Sequence, residues 1–136
     1  MCKFAAPTNI GGHLMTENQK GFSGKPVSEV TVEAIRRGDI TLDDVRIHPD
    51  TLAHQAQVAK ANGNPQLAAN FLRAAELTSL SDETVLGYYD ALRPGRSTAQ
   101  DLLNIANTLQ TQGAERNAEL FRQAADVYAR RGLTAK

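Results

Sequence analysis

The chain has 136 residues, the size of one domain, and its 15 basic and 15 acidic residues cancel. The two signs are interspersed, so the chain lacks the basic face expected of a protein that binds nucleic acid. No apolar run approaches the roughly 20 residues that a membrane-spanning helix needs. We therefore expect neither a nucleic-acid nor a membrane partner and, by default, a cytoplasmic location.

The apolar residues predict a lean core. Hydrophobic residues make up 41% of the chain, but 20 of them are alanine and none is tryptophan. Because alanine buries little area, such a core has a small margin over chain entropy. This suggests that another subunit covers part of the apolar surface.

Residues 1–24 show no helical or strand period. They include four glycines and many polar residues, together with the single cysteine, Cys2, which is typical of an irregular segment. We predict an irregular N-terminal arm over 1–24 and one helical domain over 25–136.

Short helices are predicted first. "SEVTVEAIRRG" offers Ser28 or Thr31 as an N-cap and Gly38 just beyond the helix end. "TLDDV" places Thr41 and Asp44 at the spacing of a capping box, which favours one further turn.

Two longer helices follow. The first begins near Pro49 and leaves at Asn62, and the second restarts with Asn64 as N-cap and Pro65 at its first position. The first carries an apolar stripe of Leu52, Ala56 and Ala59. The second carries two adjacent apolar rows, which are Leu67, Phe71 and Ala74, and Ala68, Leu72 and Ala75.

Three more helices complete the chain. One runs from Ser81 to Pro94, one begins with Ser97 and Gln100 in capping-box register, and the last spans "AERNAELFRQAADVYARRG". Their apolar residues at helical spacing are Val85, Tyr88 or Tyr89, and Leu92; Leu102, Ile105 or Ala106, and Leu109; and Ala118, Phe121, Ala125 and Tyr128, with Leu120, Ala124 and Val127 widening the last stripe. No segment of 50–131 alternates with period two, so the predicted fold is all-α, a compact multi-helix domain with about five main helices.

Motifs that would carry chemistry are absent or incomplete. "GFSGKP" separates Gly21 from Gly24 by two residues rather than four and has Pro26 where a phosphate loop needs Ser or Thr. "DITLDD" lacks the glycine of a calcium loop, and helix capping explains its carboxylates better.

The histidines do not predict a metal site. His13 lies in the arm, and His48 and His54 are six residues apart, which on a helix places them on opposed faces. No nucleophile elbow or catalytic triad can be argued from spacing. We predict no catalytic, cofactor-binding or metal-binding residue.

The stretch "ALRPGRS" sets Arg93 and Arg96 around a Pro-Gly corner between two helices. Arg96 lies near a helix N-terminus, where the helix dipole disfavours a cation. Arg96 can point into solvent, pair with a carboxylate of this chain or a partner, or bind a phosphate. Because arginine is enriched at interfaces, we favour a corner that also contacts a partner.

Five stretches, in this order, carry a resemblance to a known family: "GKPVSEVTVEAI", "DVRIHPDTLAHQAQVA", "NFLRAAEL", "SDETVLGYYDALRPGRST" and "ELFRQAADVY". Together they resemble the small (gamma) subunit of adenosylcobalamin-dependent diol dehydratase and glycerol dehydratase, over about 24–132. No one motif is diagnostic, but the ordered combination is specific.

The resemblance implies a non-catalytic, mostly helical subunit of a hydro-lyase that converts a 1,2-diol or glycerol to an aldehyde and water by a radical mechanism. It implies a hetero-oligomer with a large catalytic barrel subunit, which this chain would stabilise, and a medium subunit. Adenosylcobalamin would be bound by those other subunits, and this chain alone would be inactive. The candidate subunit interface is Arg93, Arg96, Phe71, Arg73, Tyr88 and Tyr89.

The sequence departs from the family pattern in two places. Gly95 stands where members of the family carry an aromatic residue, which removes an apolar anchor from the corner. The arm lacks the amphipathic helix that directs some relatives into a bacterial microcompartment, so this chain does not support encapsulation. The main alternative function is a free-standing helical adaptor without an enzymatic role, and a further one is an independent enzyme.

Overall fold

The computed structural model describes residues 20–136, which divide into two compact units. The first unit ends at His48, and the second runs from Pro49 to Lys136. Cys2, His13 and most of the predicted arm lie outside the described residues. The predicted boundary between an arm over 1–24 and a domain over 25–136 stays a prediction.

Two short α-helices form the first unit: α1 (Val32–Arg37) and α2 (Leu42–Val45), preceded by a 3₁₀ turn (Val27–Glu29). The hydroxyl of Thr31 accepts the backbone N–H of Ala34 at 3.2 Å and so caps α1. Gly38 ends α1 in the left-handed conformation, at φ 79°. Of the two N-caps that the sequence offered, Ser28 and Thr31, the structure has Thr31, and the predicted end at Gly38 is confirmed.

The carboxylate of Asp44 joins two segments of the first unit, the turn at residues 23–25 and the start of α2. It accepts the backbone N–H of Thr41 at 2.7 Å and the Thr41 hydroxyl at 3.0 Å, as the predicted capping box requires. It also accepts the Ser23 hydroxyl and pairs with the Lys25 ammonium at 3.2 Å. These polar contacts are what organise the unit, because Ala34 is its one buried apolar residue among 20–48.

Gly21 lies where no other residue fits. A Cβ atom there would stand 2.1 Å from the backbone oxygen of Asp44, well inside van der Waals contact. The close approach lets the backbone N–H of Phe22 donate to Arg46 O and that of Ser23 donate to Asp43 O. The "GFSGK" stretch is therefore a turn wrapped around Asp44.

Five helices form the second unit: α3 (Pro49–Ala61), α4 (Pro65–Leu77), α5 (Asp82–Ala91), α6 (Ala99–Thr111) and α7 (Glu115–Arg131). Short turns pair α3 with α4 and α6 with α7 as helical hairpins. The residues from 20 to 136 contain isolated β-bridges but no strand. The predicted all-α fold with five main helices is confirmed.

The core is as lean as the composition predicts. Eight of the twelve buried apolar residues in the described part of the chain are alanine, and the largest fully buried side chains are Leu102 and Leu109. The main cluster lies between α6 and α7 and is Leu102, Ala106, Leu109, Ala114, Ala118, Phe121 and Ala125. A smaller one between α3 and α4 is Ala56, Ala59 and Ala68, with Phe71 and Leu72 against it.

One predicted apolar row of α4, which is Leu67, Phe71 and Ala74, is only partly buried. Ala68 lies in the core, whereas Leu67 and Ala74 are exposed. On α7, Leu120 widens the apolar stripe as predicted, but it is 37% exposed. Ala74 and Leu120 line an open groove on the second unit, which leaves both side chains in contact with solvent.

The capping box of α6 lies one residue later than predicted. Thr98 is the N-cap, and its hydroxyl and backbone N–H both donate to the Asp101 carboxylate, which lowers the pKa of Asp101. An ionised carboxylate accepts these bonds more strongly than the amide of Gln100 would. The hydroxyl of Ser97 instead donates to the carbonyl of Ala91 at 2.9 Å.

Glu76 links the two hairpins of the second unit. The residue before α7, Ala114, has no side chain that can cap the helix. The Glu76 carboxylate, from α4, accepts the backbone N–H groups of Arg116 and Asn117 at 3.1 and 3.0 Å. It also accepts the Asn117 side-chain amide at 2.8 Å and the Arg116 guanidinium at 3.2 Å. The Glu76 side chain on α4 therefore caps the start of α7 in place of a side chain at the N-cap position.

Replacing Glu76 should therefore destabilise the second unit. We expect Glu76→Ala to lower the free energy of unfolding by about 2 kcal/mol, because charged hydrogen bonds and a helix cap are lost together. For a unit of this size the thermal midpoint should fall by about 10 °C in circular dichroism. Glu119→Ala, an exposed carboxylate on α7, should change the midpoint little; equal midpoints for both variants would contradict the assignment.

The first unit should loosen in acid. The Ser23 hydroxyl and the Thr41 backbone N–H hold the pKa of Asp44 well below its usual range. Because the folded pKa lies below the unfolded value of about 3.9, the ionised carboxylate stabilises the unit above about pH 4, and this contribution is lost as pH falls further. Amide hydrogen exchange at Phe22 and Ser23, corrected for intrinsic rates, should show less protection at pH 3 than at pH 6.

Asp44→Asn provides the control for this experiment. It removes the ionised acceptor, so protection at the same amides should be low at both pH values. Wild-type protection that is unchanged between pH 6 and pH 3 would show that the Asp44 charge does not hold the turn.

Candidate subunit interface

An open apolar groove lies on the second unit between α4, α5 and α7. It has a volume of about 180 Å³. Its walls and floor are mostly large apolar side chains, which are Leu77, Val85, Leu92, Leu109, Leu120 and Phe121. The alanine-rich packing leaves this groove unfilled by the chain's own side chains.

The two adjacent tyrosines of α5 have different environments. Tyr88 packs edge-on against Phe121, with the ring centroids 5.7 Å apart. Tyr89 is 62% exposed and lies at the rim of the groove. The sequence left open which of the two faces the core, and the structure places Tyr88 there.

Arg73 is the one charged residue that lines the groove. Its guanidinium donates to Asn70 Oδ1, and its backbone carbonyl accepts the side-chain amide of Asn117 at 3.0 Å. Within residues 20–136 it takes part in no ion pair, whereas Arg116 beside it pairs with Glu76. Arg73 therefore places a positive charge, unpaired among the described residues, at the apolar groove.

The predicted interface residues do not form one cluster. Arg73, Tyr88 and Tyr89 line the groove, whereas Phe71 packs against the cluster between α3 and α4. Arg93 and Arg96 lie at the corner between α5 and α6. Whether these residues contact another subunit stays a prediction.

The corner holds both arginines near one carboxylate. The Arg93 guanidinium donates to Asp90 at 3.2 Å, and the Arg96 guanidinium lies 3.8 Å from the same oxygen. The side chains of all three are more than half exposed. The sequence left three possibilities open for Arg96. The structure shows that it pairs with Asp90, a carboxylate of this chain.

The C-terminal residues bind the corner through its backbone. The N–H of Gly95 donates to Leu133 O at 2.8 Å, and the N–H of Ala135 donates to Ser97 O at 2.8 Å. The Tyr128 hydroxyl donates to Leu92 O at 2.6 Å. Gly95 adopts the left-handed conformation, at φ 78°, so glycine rather than an aromatic residue suits this backbone.

The first unit has an apolar surface of its own. Its large aliphatic side chains are mostly exposed, up to 81% for Leu42. The others that are at least half exposed are Val32, Ile35 and Val45. These side chains are available for burial against another protein.

Sequence reasoning missed Glu76 and Asn117. Asn117 is 5% exposed and Glu76 lies 41 residues away, so no local pattern relates them. The signal available was the start of α7 itself, where Ala114 stands in place of a capping residue. An uncapped helix start predicts that some acceptor is needed, but not which one.

The groove does not match the size of an ordinary ligand pocket. The groove of about 180 Å³ is smaller than the roughly 300–1,000 Å³ of pockets for ordinary small ligands. His48 lies near the Phe22 ring in the first unit, and His54 is exposed on α3. In the described part of the chain, no three His, Cys, Asp or Glu side chains are grouped to hold a metal ion.

Hydropathy places no helix across a membrane. None of the helices between residues 20 and 136 is both long and apolar enough to span a bilayer.

The fold and surface define a class: an all-α protein with an apolar groove and further exposed apolar side chains. Comparison with known proteins shows which family within this class the chain belongs to. The sequence pattern of the dehydratase small subunit family matches residues 12–134. The chain belongs to this family, and the resemblance seen in the sequence is confirmed.

Two relatives are propanediol dehydratase small subunits. The protein from Salmonella typhimurium is 42% identical over 113 residues, which cover 82% of this chain and 65% of the relative. The protein from Citrobacter freundii is 42% identical over 113 residues, which cover 82% of this chain and 66% of the relative. The chain thus spans just under two thirds of the length of these relatives.

We expect the stability of the corner to depend on the left-handed backbone conformation of Gly95. Gly95→Ala forces an alanine into the left-handed region, and we expect it to cost about 1 kcal/mol of unfolding free energy. Gly87, inside α5, has open space where a Cβ would lie, so Gly87→Ala should instead stabilise by about 0.5 kcal/mol. Urea unfolding of both variants would test this; equal signs would contradict it.

Proposed function

We propose that this chain is the non-catalytic small subunit of an adenosylcobalamin-dependent diol dehydratase. In this role it packs against the large catalytic subunit and stabilises the assembly, which also holds a medium subunit. The reaction of the assembly is the radical conversion of a 1,2-diol to an aldehyde and water. The names of the two relatives favour propane-1,2-diol as the substrate over glycerol.

One observation carries the stabilising role: the chain leaves large apolar side chains uncovered on both of its units. Leu42 and Val32 in the first unit, and Leu86 and Tyr89 in the second, are each more than half exposed. Since the buried apolar residues are mostly alanine, the chain's own core contributes little burial. Burial of these side chains on a larger subunit would supply stability that the chain lacks.

The proposal assigns the cofactor and the chemistry to other subunits. The groove is too small for a corrinoid, and the candidate residues are apolar, aromatic or arginine rather than acids, bases and nucleophiles grouped together. Arg73, Tyr88 and Tyr89 are residue types that are enriched in protein interfaces. This supports a binding role for this chain.

Assembly is the test of the proposal. Co-expression of this chain with its cognate large and medium subunits should yield one complex in size-exclusion chromatography. That complex should dehydrate propane-1,2-diol when adenosylcobalamin is added. Omission of this chain should lower the yield of the complex and its thermal midpoint, because apolar surface on the large subunit is then exposed.

Three results would contradict the proposal. A complex that is equally stable and active without this chain would exclude the stabilising role. Dehydration of the diol by this chain alone would make it an enzyme in its own right. A stable monomer that does not bind the large subunit would favour the free-standing adaptor.

A further inference from the structure

We propose that the groove between α4, α5 and α7 receives one large apolar side chain of the large subunit, and that a carboxylate beside that side chain pairs with Arg73. This inference rests on the proposed function and assigns the contact to a specific surface. Three properties of the groove favour this contact: its volume, its polarity and its single charge.

The volume of the groove fits one side chain. It measures about 180 Å³, and an engineered apolar cavity of about 150 Å³ in another protein binds benzene. One aromatic ring or one large aliphatic side chain therefore fills the groove. A partner that inserts a single anchor residue gains the burial typical of an interface hot spot.

The polarity of the groove favours an apolar occupant. The floor includes Leu109, which is fully buried, and Phe121, which is 3% exposed. The polar side chain nearest the floor, Asn117, already donates to Arg73 O and Glu76. No buried side-chain nitrogen or oxygen in the described part of the chain lacks a hydrogen-bond partner. The occupant of the groove therefore need not supply a hydrogen bond.

The charge of the groove favours an acidic neighbour for that occupant. Arg73 is the one charged lining residue, and its guanidinium has five N–H donors. Two of the nearby carboxylates are already paired, Glu76 with Arg116 and Glu119 with Arg122, and the third, Glu115, forms no ion pair with Arg73. A carboxylate from a partner is thus the complementary group for Arg73.

A second copy of this chain is a weaker candidate for the occupant. The exposed Leu86 has acidic neighbours on its helix, among them Glu83 and Asp90, and so has the required chemistry. It lies on α5, the same helix that walls the groove. Insertion of Leu86 into the groove of another copy would join two different surfaces, a contact that need not close into a symmetric dimer.

The first test is a variant whose larger side chain fills the groove. Ala74 is exposed and lines the groove, so Ala74→Trp occupies the space without removing a core contact. Affinity for the cognate large subunit, full length and purified with the medium subunit, should fall at least about tenfold. Ala129→Trp, at an exposed position of α7 away from the groove, should bind as wild type does.

The charge is tested separately. Arg73→Gln should weaken binding by about threefold to tenfold and reduce the loss of affinity between 50 and 300 mM salt, as expected when an ion pair is removed. Arg131→Gln, an exposed arginine at the end of α7, should leave both quantities unchanged. Circular dichroism and thermal midpoints close to wild type establish that each variant folds; should Ala74→Trp fail that check, Arg73→Gln and the rim variant Tyr89→Ala decide.

The outcomes separate this inference from the proposed function. Wild-type chain that does not bind the large subunit overturns both. Wild-type binding with equal binding by Ala74→Trp overturns the groove alone and leaves the subunit role standing. Loss of self-association of the isolated chain in Ala74→Trp, with unchanged binding to the large subunit, would assign the groove to a second copy.

Discussion

The carboxylate of Glu76 is the contact on which the second unit depends. It belongs to the hairpin of α3 and α4, and it satisfies backbone donors at the start of α7, in the other hairpin. Free N–H groups at a helix start need an acceptor, and Ala114 cannot supply one. Because α4 and α7 are also two walls of the groove, the same contact sets the geometry of the candidate interface. The fold of the second unit and the proposed function therefore depend on the same partly buried polar contact.

The alanine-rich core explains why the surface is apolar. Small side chains let α6 approach α7 and α3 approach α4 closely, but each buries little area. Larger side chains such as Leu86, Leu120 and Tyr89 then remain wholly or partly uncovered. In an independent protein such surface would be an aggregation hazard. Under the proposed function, this is the surface through which the dehydratase would assemble.

Local chemistry was predictable where one short stretch held both partners of an interaction. Thr31 and Gly38 were expected as the caps of α1, and Thr41 with Asp44 as a capping box. The α6 cap was placed one residue early, since Ser97 and Thr98 both suit the position and only the hydrogen bonds distinguish them. The corner at Gly95 was recognised as a turn, but its binding to Leu133 lies beyond any local pattern.

By itself, the sequence determined the all-α class, the number of main helices, most of their ends and the family, because these depend on residues close together in the chain. The tertiary structure alone decided which apolar face of α4 is covered, which tyrosine of α5 lies against Phe121, and how Glu76 reaches Asn117. It also divided the candidate interface residues between a groove and a corner. The physical reason is distance along the chain. Helix caps and periodicity depend on residues a few positions apart, whereas the groove and the contacts of Glu76 form between segments that only folding brings together.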